Sequence, residues 1–231
     1  MRHDALLPLV ATVIAWEFSL ALVRRWWRSR RPYLRSWALS LLFFAAGSAF
    51  LTYATAFGWS GVSLRGYYVF GALLSVPWLA MGELELLWPS RATRVMAVFL
   101  AILSVDAALV LAASDFVSHA PIAGFAVPDG KEYFGVLPRV LVAVSNAVGT
   151  LVVLGGTVWS GLRSRHAGPT ARARFRGTLV IALGVAIAAI GGALAFVSKV
   201  ASQATTLTAG VAVMYAGFVL ASRPPRPERA T

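Results

Sequence analysis

Residues 67–88 read YYVFGALLSVPWLAMGELELLW. At about 1.5 Å per residue, a helix of this length reaches ~33 Å, enough to cross a ~30 Å hydrocarbon layer. Lipid offers no partner for a bare backbone group, so a helix is the form such a run must take. The same run holds Pro77, Gly71 and Gly82, and two carboxylates, Glu83 and Glu85. A membrane helix interrupted by proline and carrying ionisable groups is the first place to look for function.

Comparable runs recur on both sides of it. Among 231 residues, 58% are apolar and 13% charged, with mean hydropathy +0.73. Soluble domains carry about 25% charged residues. Apolar spans are predicted at 5–23, 36–57, 67–88, 94–114, 136–162, 176–200 and 205–222. The expected fold class is all-α, a polytopic seven-helix transmembrane bundle over 1–222. A polar, Pro-rich tail, 223–231, is expected to be a disordered cytoplasmic segment. No small-residue cleavage site follows the first run, which enters RRWWRSRRPYLR directly, so it reads as a retained helix. Between the fourth and fifth spans, Pro128-Asp129-Gly130 is a tight-turn sequence, and a short outer hairpin is predicted there.

Orientation follows from the basic residues. With the N-terminus outside, sixteen Arg and Lys fall on the inner side and five on the outer. The positive-inside rule then places the N-terminus outside and the C-terminus inside, in a multi-pass plasma-membrane protein. Trp26, Trp27, Trp37, Trp59, Trp88 and Trp159 lie near span ends, where interfacial anchors belong. The net charge of +12 sits in the connections, so it serves topology and argues against nucleic acid as a partner. Nineteen of the 21 basic residues are Arg, which with abundant Ala and Gly points to a GC-rich bacterial source.

Polar groups at membrane depth define the candidate site. Asp106 lies about 3 Å from the centre of the fourth span and Asn146 about 4–5 Å from that of the fifth, both toward the outside. A charge at the centre costs roughly 2.5–3.5 kcal/mol on insertion scales, so Asp106 is expected to face the bundle interior and hydrogen-bond to Asn146. Arg139 lies within reach of the same region. Glu17 is placed about 4–5 Å to the inner side of its span centre, with Arg24 seven residues on. Glu83 and Glu85 fall at the inner end of the third span, on opposite sides of the Gly71/Ser75/Gly82 face, and read as cytoplasmic-interface carboxylates. Pro77 and the ridge Gly184, Ala188, Gly192 read as helix packing, the ridge having a dimer face as its alternative.

Absences narrow the chemistry. The chain has no cysteine, and His3, His119 and His166 fall outside the predicted spans. That argues against b-type haem, iron–sulfur clusters and histidine zinc sites, so no metal ligands and no cofactor are implied. No nucleophile–base pair is visible, so no catalytic residues are assigned. Retinal is rejected because the seventh span, TTLTAGVAVMYAGFVLAS, lacks the Schiff-base lysine.

YYVFGALLSVPWLAMG (67–82) and FGVLPRVLVAVSNAVGTLVVLGGTVWSGLR (134–163) resemble an uncharacterised actinobacterial family of seven-helix integral membrane proteins. Pro77, Pro138 and Arg139 fit its pattern. Where Glu83 and Glu85 stand here, the family resemblance implies neutral residues, which sets these two carboxylates apart from a shared site. The resemblance implies a source and a topology, with no activity attached.

The expected function is that of a non-enzymatic membrane protein handling a small ligand or a proton, in transport or sensing, near Asp106 and Asn146. The rival is a structural or regulatory subunit binding another membrane protein through small-residue helix faces. Partners consistent with these readings are the lipid bilayer, a small ligand or lipid, a membrane-protein partner, or a homo-oligomer.

Overall fold

The computed structural model describes residues 5–117, 122, 124, 125, 127–164, 169–194 and 200–222, with side chains for all of these except 161–164, 169–176, 178, 191–194, 200–204, 221 and 222. The expectations for the tail 223–231 and for His3, His119 and His166 fall outside the described residues.

The first two helices show why apolar runs and helices differ in length. α1 (Leu6–Ser29) continues past Val23, and α2 (Pro32–Phe57) begins ahead of Ser36. Charge ends a span by leaving the hydrocarbon, but Arg is a good helix former and need not end the helix. The chain reverses in two residues. Arg30 adopts the left-handed region (φ 53), its N–H donates to the Trp26 carbonyl at 2.7 Å, and Pro32 starts α2 at a position suited to proline.

The third helical run spans Gly61–Leu87. It comprises α3 (Gly61–Gly66), a π-helical segment (Tyr67–Leu74) and α4 (Ser75–Leu87). α5 (Arg91–Ala113) follows, then one helical turn, α6 (Gly130–Tyr133), and the long helices α7 (Val136–Ser164), α8 (Pro169–Leu194) and α9 (Val200–Ser222). Ser60 and Ser90 cap α3 and α5 through reciprocal bonds with Ser63 and Thr93, which satisfies first-turn amides.

Among the described residues, five helical runs are long and apolar enough to cross a membrane: Leu6–Ser29, Pro32–Phe57, Gly61–Leu87, Arg91–Ala113 and Val136–Ser160. α8 and α9 carry shorter apolar segments, Leu179–Ile190 and Thr205–Leu220. No strand occurs among the described residues.

Contacts fix relative directions. Ser19 of α1 donates to Ala38 of α2, and Ser36, Ser40 and Gly47 of α2 meet Glu85, Ser75 and Gly71, so these neighbours are antiparallel. Gly149 and Gly156 of α7 lie against Val76 and Glu83 of α4, in parallel register. Thr208 of α9 donates to the Leu7 carbonyl, and Phe18 packs on Tyr215 and Phe218, making α1 and α9 parallel.

Among the described residues the interior forms two apolar clusters. One joins Phe18, Leu22, Leu41, Ala80, Val153, Val185 and Met214 from six helices. The other joins Leu51, Leu64, Leu73, Leu74, Leu111 and Phe134. The second is closed by the connection before α7, where the expected hairpin is replaced by the single turn α6. Asp129 caps that turn by accepting from the Lys131 amide at 2.9 Å, and Val117 N–H donates to Tyr133 at 2.9 Å. The aromatic residues of this segment find more area inside the bundle than a surface hairpin gives: Phe134 is 1% exposed and meets Tyr68 and Phe116.

Candidate functional site

The site begins with a missing proton. Pro77 has no N–H, so the carbonyls one turn earlier lose their usual donor. In water the loss would be made good by solvent; in lipid it must be made good by protein. A wider π-helical turn over Tyr67–Leu74 precedes it, and two side-chain donors serve carbonyls of that segment. Ser75 Oγ donates to the Gly71 carbonyl at 2.6 Å, and Asn146 Nδ2 of α7 donates to the Ala72 carbonyl at 2.9 Å. From α2, Ser40 Oγ donates to the Ser75 carbonyl at 2.7 Å and Trp37 Nε1 to Leu79 at 3.2 Å. π-helical insertions of this kind collect at functional sites.

This geometry corrects the expected Asp106–Asn146 pair. Asn146 spends its amide on the π-helical backbone, and Asp106 is exposed on α5, turned away from the bundle. The two are not brought together. Arg139 is also bound locally, its Nε donating to the Gly135 carbonyl at 3.2 Å. Glu17 is exposed on α1 beside the exposed Trp16. A small groove beside α5, lined by Leu73, Ala107, Leu111, Pro138 and Leu141, is apolar and has no room for a water.

The two glutamates move the other way. Expected at the interface, both are buried, Glu83 at 4% and Glu85 at 2% exposed. Glu85 faces α2: its Oε2 accepts from Ser36 Oγ at 2.7 Å, and Arg35 approaches Oε1 at 3.8 Å from a half-exposed position. Glu85 is thereby tied to Arg35 in the first turn of α2, with the carboxylate itself drawn inside. Glu83 faces α7, where a side chain on Gly156 would collide with its Cγ and Oε1. Between them Gly82 receives the Trp37 indole. Glu83 Oε1 has no hydrogen-bond partner, and neither does Asn146 Oδ1. Both belong to the seam between the third run and α7, separated by eleven residues of helix, or about 16 Å.

Sequence reasoning missed Ser36, whose hydroxyl is the close partner of Glu85. The signal was its four-residue spacing from Ser40, which puts both hydroxyls on one face of α2. Ser36→Ala is expected to cost about 1–2 kcal/mol in an SDS unfolding titration, because a buried carboxylate oxygen loses its donor. Adding Glu85→Leu should recover most of that loss.

The small-residue ridge is used inside the chain. Side chains on Gly184 would strike Met214 and the Gly210 carbonyl of α9, and Gly210 in turn faces Ala188. The surroundings of Gly192 lie outside the described residues. Pro77 is partly buried in α4, three residues past the end of the π-helical segment. Arg65, in α3, clamps the end of α5 by donating to the Ser114 carbonyl at 2.8 Å and stacking 4.1 Å over Phe116. Comparison with protein-family models, with curated proteins and with solved structures finds no match.

Proposed function

We propose that this is a seven-span plasma-membrane protein, N-terminus outside and C-terminus inside, that handles a proton or the polar group of a small ligand inside its bundle. The site is the seam of α4 and α7, with Glu83 as the group that takes the proton and Asn146 as a second acceptor further along. The alternation of helix directions and the excess of basic residues on one side support the topology.

One observation carries the functional reading. Glu83 Oε1 is enclosed between two helices without a hydrogen-bond partner. Buried polar atoms are nearly always satisfied, and an ionisable group within the membrane is costly, so an unmatched carboxyl is retained for what it binds. Among the described residues no nucleophile–base arrangement accompanies it, which favours handling over covalent catalysis.

The test uses the full chain in liposomes containing a pH-sensitive dye, with a potassium diffusion potential as driving force. Wild-type protein should produce a dye response, and Glu83→Gln should lower its initial rate by about tenfold or more. Glu17→Gln serves as the exposed control and should leave it unchanged. Equal rates for wild type and Glu83→Gln would remove the proton reading.

A further inference from the structure

We propose that α5 is a self-association helix, and that two copies of this chain pair along it with Asp106 meeting Asp106 across the two-fold axis. The observation is the direction Asp106 faces. α5 packs on the bundle through Ala97, Ser104, Ala107 and Leu111, with Ser104 Oγ receiving the Trp78 indole N–H at 3.1 Å. Asp106 lies on the opposite side, in a helix whose outward residues from Val95 to Ala113 are otherwise apolar. A carboxyl directed at lipid at this depth is poorly placed as a monomer feature. Glu17, the other exposed acid, has a longer stem and Arg24 two turns toward the interface, so it reaches water by snorkelling. Asp106 has no basic residue on its own helix nearer than Arg94, about 18 Å along the axis.

The exposed face has a second property. Val95, Phe99, Ile102, Asp106, Leu109 and Ala113 are all exposed and follow one another at steps of four, three, four, three and four. That is the seam of a left-handed helix pair, with one polar position among apolar ones. In lipid the apolar members alone would say little, since a single helix tolerates them anywhere. The single polar member at a seam position is what fixes register in such pairs.

The occupant follows from symmetry and hydrogen bonding. Copies inserted with the same topology relate by an axis along the membrane normal, so their α5 helices run parallel and every residue meets its twin at equal depth. Two ionised carboxylates would repel, whereas a carboxyl carrying its proton is both donor and acceptor and is complementary to itself. Neither Gly184 nor Gly210 is free to offer a competing close-packed face, because they pack on each other. The inference stands apart from the Glu83 site and survives its failure.

The chain lacks cysteine, so single cysteines report pairing without background. The full-length protein in bilayers is oxidised after substitution at Phe99, Ile102 or Leu109, with Val98 and Val105 as equally outward but off-seam controls on the same helix. A disulfide requires Cα atoms within about 7 Å, which the seam positions meet and the controls do not. Seam cysteines should give about tenfold more covalent homodimer than the controls. In the Leu109→Cys background, Asp106→Asn keeps a donor and acceptor and should retain the dimer, while Asp106→Leu should lower it about tenfold. Equal crosslinking at seam and control positions would overturn the proposal. So would a dimer unaffected by Asp106→Leu, or crosslinks to a different protein in place of the homodimer.

Discussion

Gly47→Ala is expected to destabilise the protein by about 2–3 kcal/mol, read as a lowered midpoint in SDS titration, while Gly71→Ala costs under about 1 kcal/mol. The two glycines face each other where α2 crosses the π-helical segment, yet the contact is lopsided. A Cβ on Gly47 would stand 2.5 Å from both Cα and N of Gly71, atoms of a backbone held on either side. A Cβ on Gly71 would stand 3.5 Å from the Gly47 Cα and 3.7 Å from the Tyr67 ring, which is ordinary contact. Backbone has no rotamer to change, so α2 must retreat and with it Ser40, whose hydroxyl satisfies the Ser75 carbonyl. The loss therefore combines overpacking with a hydrogen bond that lipid does not replace. Gly155→Ala, at an exposed position with nothing near its Cβ, is the neutral control. Equal costs at positions 47 and 71 would show that the two helices do not approach as closely as the structure has them.

The comparison of sequence and structure divides along a physical line. Apolar length locates helices well because the solvent imposes it; all five membrane-length runs coincide with predicted spans to within a few residues at most ends. Direction around a helix is harder. Asp106 and Asn146 share a depth, and depth alone suggested a pair, but their helices turn them apart, one to lipid and one to the Ala72 carbonyl. In an apolar span nearly every position is hydrophobic, so no amphipathic pattern marks the inner face. The glutamates show the same gap from the other side. Their proximity to a span end suggested the interface, whereas Ser36 and Gly156, on two other helices, make room for them inside. The outer hairpin failed because turn residues are equally good helix caps, and Asp129 served as one.

Asn146→Leu is expected to cost about 1–2 kcal/mol in the same titration, and substantially less in a Pro77→Ala background. The reasoning joins two residues that never touch in sequence. Pro77 denies an amide proton to the carbonyls behind it, and Asn146 supplies one to Ala72 from α7. Leucine at 146 keeps volume and apolar contact but leaves that carbonyl bare in the bundle, so the cost is that of an unmade bond. Alanine at 77 returns a backbone N–H five residues past Ala72, which can reach that carbonyl in the i to i−5 register of the π-helical turn and relieves the need for a foreign donor. A double-mutant cycle should then yield a coupling of about 1 kcal/mol between positions 77 and 146. Additive costs would mean that Asn146 is held for some other reason than the proline. The coupling also bears on the candidate site, because an amide committed to Ala72 through Nδ2 must present Oδ1 elsewhere. Oδ1, like Glu83 Oε1 on the same seam, is a buried atom without a hydrogen-bond partner. The proline that interrupts the third helix thus sets, two helices away, the orientation of the acceptor that the proposed site depends on.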